Sequence, residues 1–255
     1  MIVRDVGSDL LLVTQPDHAA LAARLMARWR ADGLAERPSR AAALFATEHH
    51  DVGWREVDEA PPVDPATGWP YDFVSAPAAV RQGVWHRAVR TLADSSTYAA
   101  ALVAQHALTI YRRHRGDPEW RAFFAELEAA RDHWFTTAVR PDGSAGGPYD
   151  PPPADRLSFL QDYAVVAMGD LLSLTFCNAW RAPQAAEGYT VVLDGARLTV
   201  RPDPFGGEVV RFSVPARRIP RQRYASDAAL RSVLLSAPIE PLVGEAVGAG
   251  LADVA

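Results

Sequence analysis

Val165-Val166-Ala167-Met168-Gly169-Asp170-Leu171-Leu172-Ser173-Leu174 is an apolar run broken by a single carboxylate. It belongs to a helix predicted over about 155–181 that is apolar on all sides through its middle. A helix without a polar face has to be central, with other elements packed around it. Asp170 then has little chance of reaching bulk water. An unpaired charge in such a place costs on the order of several kcal/mol, so it must meet an arginine, strong donors or a metal.

Earlier in the chain, helices are predicted over about 17–31, 40–51, 78–93, 97–114 and 118–136. The first carries an apolar stripe of Leu21, Ala22, Leu25, Met26 and Trp29 and stops near Gly33. Ser39 suits the N-cap of the second, which ends near Gly53. Met1 to Thr14 alternates loosely around Gly7-Ser8-Asp9, as a short β-hairpin does. Residues 54–77 are proline-rich and lack a helical period, so a long ordered loop is expected there. The Pro/Gly-rich residues 140–153 read as a lid or a connector.

Beyond 181 the period changes. Tyr189–Leu193, Asp194-Gly195 and Arg197–Arg201 give a hairpin signal, and Glu208–Val214 a third strand. Ser226 starts a short helix, and the Gly/Ala-rich last residues read as frayed. The fold expected is mainly α (α+β): a helical bundle with a small antiparallel β element from the N-terminal hairpin and the C-terminal strands. Residues 1–255 are read as a single domain, with a hairpin and helical core over 1–181 and a β-rich extension over 182–255 packed on it.

Composition removes whole classes of function. The chain has no lysine, which excludes a Walker phosphate loop, a pyridoxal-phosphate Schiff base and other lysine chemistry. Gly143-Ser144-Ala145-Gly146-Gly147 resembles a nucleophile elbow, but no strand precedes it. Cys177 is the one cysteine, so no intrachain disulfide or CxxC zinc knuckle can form, and it reads as a small core hydrophobe. A net charge of −5 argues against a nucleic-acid partner. No apolar run approaches the roughly 20 residues of a membrane span, and Met1-Ile2-Val3-Arg4 does not open a signal peptide. A cytoplasmic location and a small-molecule substrate are expected, with the oligomeric state left open.

Four helices each set a histidine or aspartate on an apolar face. His18 shares the stripe of Leu21 and Leu25, His106 follows Ala99–Gln105, His50-Asp51 ends the helix of Ala41–Ala46, and Asp170 sits as described. Imidazoles with carboxylates are a usual ligand set for Fe, Mn, Zn, Ni or Co, and a metal would offset the cost of burying both carboxylates. One or two divalent ions are therefore expected.

The order His18, His50-Asp51, His106, Asp170 resembles the H…HD…D signature of the HD-domain superfamily, with extra histidine ligands before the last Asp. The whole chain is also similar to an uncharacterised bacterial family known only as a domain of unknown function. The likeness runs through Thr14-Gln15-Pro16-Asp17-His18-Ala19, His50-Asp51-Val52-Gly53-Trp54, Tyr98–His106 and Asp170–Leu174. The superfamily resemblance implies an HD-like bundle, metal ligands His18, His50, Asp51, His106 and Asp170, and catalytic roles for Asp51 and His106. His86 stands where a sixth ligand would fall, although it lies off the stripe of Val80, Val84, Ala88 and Leu92. His49 is read as a supporting neighbour. Many HD phosphohydrolases have HDxGK, whereas this chain has Trp54 in place of the lysine, so Trp54 and Arg55 are the candidate substrate contacts.

Three functions follow. The first is a metal-dependent hydrolase of a phosphate ester or nucleotide-like molecule. The second is an HD-type diiron oxygenase, which needs the full H…HD…H…H…D set, hence His86 or another sixth ligand. The third is a non-catalytic binding protein in which the His/Asp cluster is a satisfied polar core.

Overall fold

The computed structural model describes residues 1–138, 149–150 and 155–250, so most of the 140–153 break, Gly143–Gly147 included, lies outside the described residues. The chain opens with β1 (Ile2–Asp5) and β2 (Asp9–Val13), then α1 (Gln15–Met26), α2 (Arg40–His49) and the short α3 (Arg55–Glu59). The helices α4 (Ala78–Ala93), α5 (Thr97–Ile110), α6 (Arg121–Ala138) and α7 (Arg156–Cys177) follow. Then come β3 (Gln184–Ala186), β4 (Tyr189–Asp194), β5 (Arg197–Arg201), β6 (Val210–Pro220), α8 (Asp227–Ser236) and β7 (Ile239–Gly248).

The strands form one seven-stranded mixed sheet, ordered β1-β2-β6-β7-β5-β4-β3. Every neighbouring pair is antiparallel except β5 with β7, which is parallel. The protein is therefore an α/β fold, and the expected helical bundle with a minor β element is corrected. The segment that overturns it is β7, read from sequence as a frayed tail. Its pattern is inverted: the large Ile239 and Val243 are more than 60 % exposed, while Ala246 is buried. A Cβ on Gly244 would stand 2.5 Å from Phe176 Cε2 and 2.8 Å from Phe212 Cε2. Small residues face inward because two aromatic rings already fill that side, so the strand carries no apolar stripe of its own.

α7 is apolar all round because two cores enclose it. Val165, Met168, Leu172 and Phe176 join the cluster that covers the sheet, with Leu21 and Leu25 of α1 and Val191, Val200 and Val214 of the strands. Phe159 and Val166 face the second cluster, built by α4, α5 and α6. By length and hydropathy α7 would also pass for a membrane span. Here the buried part of that apolar surface packs on these two clusters, while Leu157 and Leu160 near its start are exposed. α7 approaches its neighbours closely at Gly169, where a Cβ would meet Thr47 Cγ2 at 2.8 Å and Met26 Cγ at 3.0 Å. This glycine lets α1, α2 and α7 converge one residue before Asp170.

The polar residues inside the helical layer each have a local reason. Asp162 is fully buried and takes a hydrogen bond from Tyr98 Oη at 2.8 Å, with Arg37 Nη1 at 3.4 Å. Asp150 accepts from Ser96 Oγ at 2.6 Å and from the Tyr98 amide at 2.9 Å, closing the N-terminus of α5. Cys177 is buried, and burial pushes its thiol up to about 12, so it is a packing residue rather than a nucleophile.

Candidate metal centre

His18 is set by the start of α1. Thr14 Oγ1 accepts from the Asp17 amide at 3.1 Å, and Pro16 occupies the first turn, where no amide hydrogen is needed. His18 in that turn is fully buried and reaches α7, with Nδ1 2.9 Å from Ser173 Oγ. The Ser173 hydroxyl donates to Asp170 O at 3.0 Å, so its oxygen accepts from His18 Nδ1–H. His18 Nε2 is thereby turned to Asp51 Oδ2, 2.7 Å away, a contact that requires a proton or a cation between the two atoms.

His50 and Asp51 stand where α2 ends, at the negative end of its dipole, which favours a cation. His50 Nδ1–H donates to Thr47 O at 2.8 Å, which fixes the ring and aims Nε2 inward. That nitrogen is buried and has no hydrogen-bond partner, although Asp170 Oδ1 lies 3.3 Å away and Asp51 Oδ2 3.6 Å away. His106 of α5 places Nε2 3.5 Å from Asp170 Oδ2. The five residues form two overlapping groups that share His50: His18, His50 and Asp51, and His50, His106 and Asp170. Within each group, one donor atom per residue lies within 4.8 Å of the others. The unpartnered inward nitrogen and the donor chemistry fit a divalent transition ion.

Electrostatics agree with that fit. Burial alone would raise Asp170, but His106 and His50 beside it hold its carboxyl well below the usual range. Burial alone would lower His50, but the charges of Asp51 and Asp170 more than offset it and push it up to about 9. A histidine raised above its unfolded value of roughly 6.5 stabilises the fold fully below that pH and loses the effect as pH rises through the folded value. The stripped protein is therefore expected to lose stability between about pH 7 and pH 9. A saturating ion displaces that proton and should remove the pH dependence over the same window. Urea denaturation across this range reads both, and a flat profile for the stripped protein would contradict the assignment.

A cavity of about 200 Å³ opens onto this cluster, with Asp51, His106 and Asp170 in its lining. Trp54 and Phe73 also line it. Other candidates lie elsewhere. His86 is half-buried on α4 with Nε2 3.5 Å from Glu126 Oε2, so it is not brought to the cluster. His49 Nδ1 bonds to Phe45 O of its own helix at 3.1 Å. Arg55 is exposed and lines a separate cavity with Asp58 and Met1. The guanidinium groups at the His/Asp cavity are those of Arg81 and Arg113, which sequence reasoning missed along with Gln15 and Trp85. The signal available for α4 was Arg81 and Trp85 at i and i+4, beside the apolar stripe.

Fold and cluster define an α/β protein with a buried His/Asp centre able to hold a divalent ion. A family model described as Protein of unknown function (DUF3891) matches residues 1–221, and the chain belongs to that family. α8 and β7 lie beyond the matched segment. No curated protein and no solved structure matches the chain.

Proposed function

We propose that this protein is a metal-dependent hydrolase of the HD-domain kind, acting on a phosphate ester. The observation that supports the reading is the meeting of His18, His50-Asp51, His106 and Asp170, in the H…HD…H…D order, with the inward nitrogen of His50 left unpartnered. A bound divalent ion supplies a Lewis acid and a water of lowered pKa. The chain supplies the rest. Thr47 O and Ser173 Oγ hold the outer nitrogens of His50 and His18, so both rings keep Nε2 turned inward. Asp51 and Asp170 provide the negative charge that makes binding a dication favourable. Asp51 and His106 line the cavity and are the groups placed to orient the attacking water and the reacting phosphoryl group.

The diiron oxygenase reading needs a sixth ligand, and His86 is turned to Glu126 instead. Hydrolysis is accordingly the reading the geometry favours. Metal analysis of freshly purified, untagged protein, with thermal melts of stripped protein in Mn, Fe(II), Zn, Ni and Co, tests the centre. Metal-dependent release of phosphate from small phosphomonoesters tests the reaction. No bound metal and a flat response to all five ions would sink the proposal. Oxygen consumption with an iron-loaded protein and no phosphate release would move it to the oxygenase.

A further inference from the structure

The cavity above the His/Asp cluster has an uneven charge pattern. Its charged lining residues are Asp51 and Asp170, which belong to the cluster, and Arg81 and Arg113. Arg81 comes from the first turn of α4, and its guanidinium lies 5.8 Å from the centre of the Tyr111 ring and 5.3 Å from that of Trp120. Arg113 comes from the short 3-10 turn Arg112–His114 that follows α5, and its Nε faces His114 Nε2 at 3.1 Å. Among the described residues, neither guanidinium forms an ion pair with a carboxylate. This differs from Arg30, Arg115, Arg197, Arg218 and Arg221, which all do.

Four atoms of residues in the same lining are unsatisfied. Arg81 Nε, Gln15 Oε1, Trp85 Nε1 and His106 Nδ1 are buried and have no hydrogen-bond partner. Gln15 is 2 % exposed, and its backbone N–H donates to Asp58 Oδ2 at 2.5 Å; its Oε1 is an acceptor and suits a donor group on the ligand rather than the anionic oxygens. Buried polar atoms are nearly always paired, so unpaired ones gathered on one cavity point to an absent polar ligand. With both carboxylates committed to the cluster, the charged donors on the wall are the Arg81 and Arg113 guanidinium groups, with the neutral indole N–H of Trp85 beside them.

We infer that Arg81 and Arg113 form an anion clamp beside the cluster, and that the cavity takes a small organic anion with an apolar body. Guanidinium forks suit the planar or tetrahedral oxygens of carboxylate and phosphate. The ring of Phe73 and the face of the Trp85 indole line the same cavity and supply the apolar contact, while the buried, unpartnered Trp85 Nε1–H is a further donor. Size narrows the class. At about 200 Å³ the cavity is smaller than the roughly 300–1,000 Å³ typical of sites for drug-sized ligands. It holds a headgroup and a few carbons, and a nucleoside would remain outside. The inference names the substrate class for the proposed hydrolase, while the anion site itself stands on Arg81, Arg113 and the cavity and not on the metal.

The test is titration calorimetry on the stripped full chain with inorganic phosphate, propionate, ethyl phosphate and AMP, against chloride as a control. The clamp is expected to bind ethyl phosphate or propionate more tightly than AMP. Arg81→Gln and Arg113→Gln are each expected to weaken the preferred anion about tenfold or more, as loss of a charge-assisted bond does. The choice between phosphate and propionate identifies the headgroup. Arg81→Lys, which keeps charge without the fork, should fall between wild type and Arg81→Gln. If Arg81→Gln does not fold, the exposed Arg113 carries the test alone. Unchanged anion affinity in Arg113→Gln together with folded Arg81→Gln would overturn the clamp, as would binding no stronger than chloride. AMP as the tightest ligand would overturn the size limit. Metal-induced stabilisation of the same variants is a separate readout. Its absence in wild type fails the hydrolase proposal without touching the anion result, and its retention in Arg81→Gln shows that the cluster is intact.

Discussion

Asp51→Asn is expected to abolish the stabilisation that a divalent ion gives, while the stripped variant stays close to wild type. Asp51 Oδ2 is 2.7 Å from His18 Nε2 and 3.6 Å from His50 Nε2, so it is shared between both imidazoles. The amide keeps the size and one hydrogen bond to His18 but removes the charge. At a thousandfold excess over its dissociation constant, an ion adds about 4 kcal/mol to wild type. For a chain of this size each kcal/mol moves the melting midpoint by roughly 2–4 °C. Wild type should therefore rise by roughly 10 °C with the right ion, and Asp51→Asn by almost nothing. Phosphate release should vanish with it. Asp170→Ala is the harsher change. It leaves His50 and His106 without the carboxylate that faces both, and breaking a buried pair costs about 3–5 kcal/mol even without metal. Melting curves of the two variants, each with and without ion, separate loss of metal from loss of fold. Equal metal-induced shifts in Asp51→Asn and wild type would refute the role given to Asp51.

The candidate cluster was legible because its residues break an otherwise apolar pattern. His18, His106 and Asp170 each put an ionisable group into a mainly apolar stripe, and the helical period then fixes which way they face. The same logic cannot separate a ligand from a satisfied core group. Asp162 is as buried as any residue of the cluster, yet Tyr98 and Arg37 account for it. Only the three-dimensional partners distinguish the two cases. Arg81 and Arg113 were illegible for a related reason. An arginine on a helix face is ordinarily solvated, and the spacing of Arg81 and Trp85 puts them on one face without showing that a cavity lies beside it. The sheet was underestimated because β7 hides its inward side behind Gly244 and Ala246, and because α8 separates it from β6 and no hairpin turn joins it to β5 or β6. Parallel pairing with β5 has no turn signature at all. The missed strand changes the architecture more than the site, since α1 and α7 would cross near Gly169 in either reading.

Gly53→Ala is expected to be the most damaging single-methyl change near the cavity. Gly53 follows Asp51 by two residues and packs against the backbone of α4. A Cβ there would stand 1.9 Å from Val84 O, 2.8 Å from Val84 C and 2.9 Å from Ala88 N. None of these atoms can rotate aside, so either α4 or the Val52–Trp54 turn must withdraw by roughly 1 Å. The move would also strain the bonds from Arg87 Nε and Nη2 to Gly53 O, at 3.2 Å and 3.1 Å. Overpacking of this kind costs about 1–3 kcal/mol, and contact with backbone on three atoms puts Gly53→Ala at the upper end. Activity should fall further than stability. α4 carries Arg81 and Trp85 into the cavity lining, the turn carries Trp54, and a 1 Å misplacement costs about a hundredfold in rate. Gly83→Ala on the same helix is the control. Its Cβ would meet only Arg87 Nη1, at 3.6 Å, so removing a helical glycine there should stabilise by about 0.5–1 kcal/mol. Opposite signs for two identical substitutions on either side of one contact would follow from the packing alone. If Gly53→Ala melts within 1–2 °C of wild type, as a change worth less than about 0.5 kcal/mol would, the contact between the His50-Asp51 turn and α4 is looser than the structure has it.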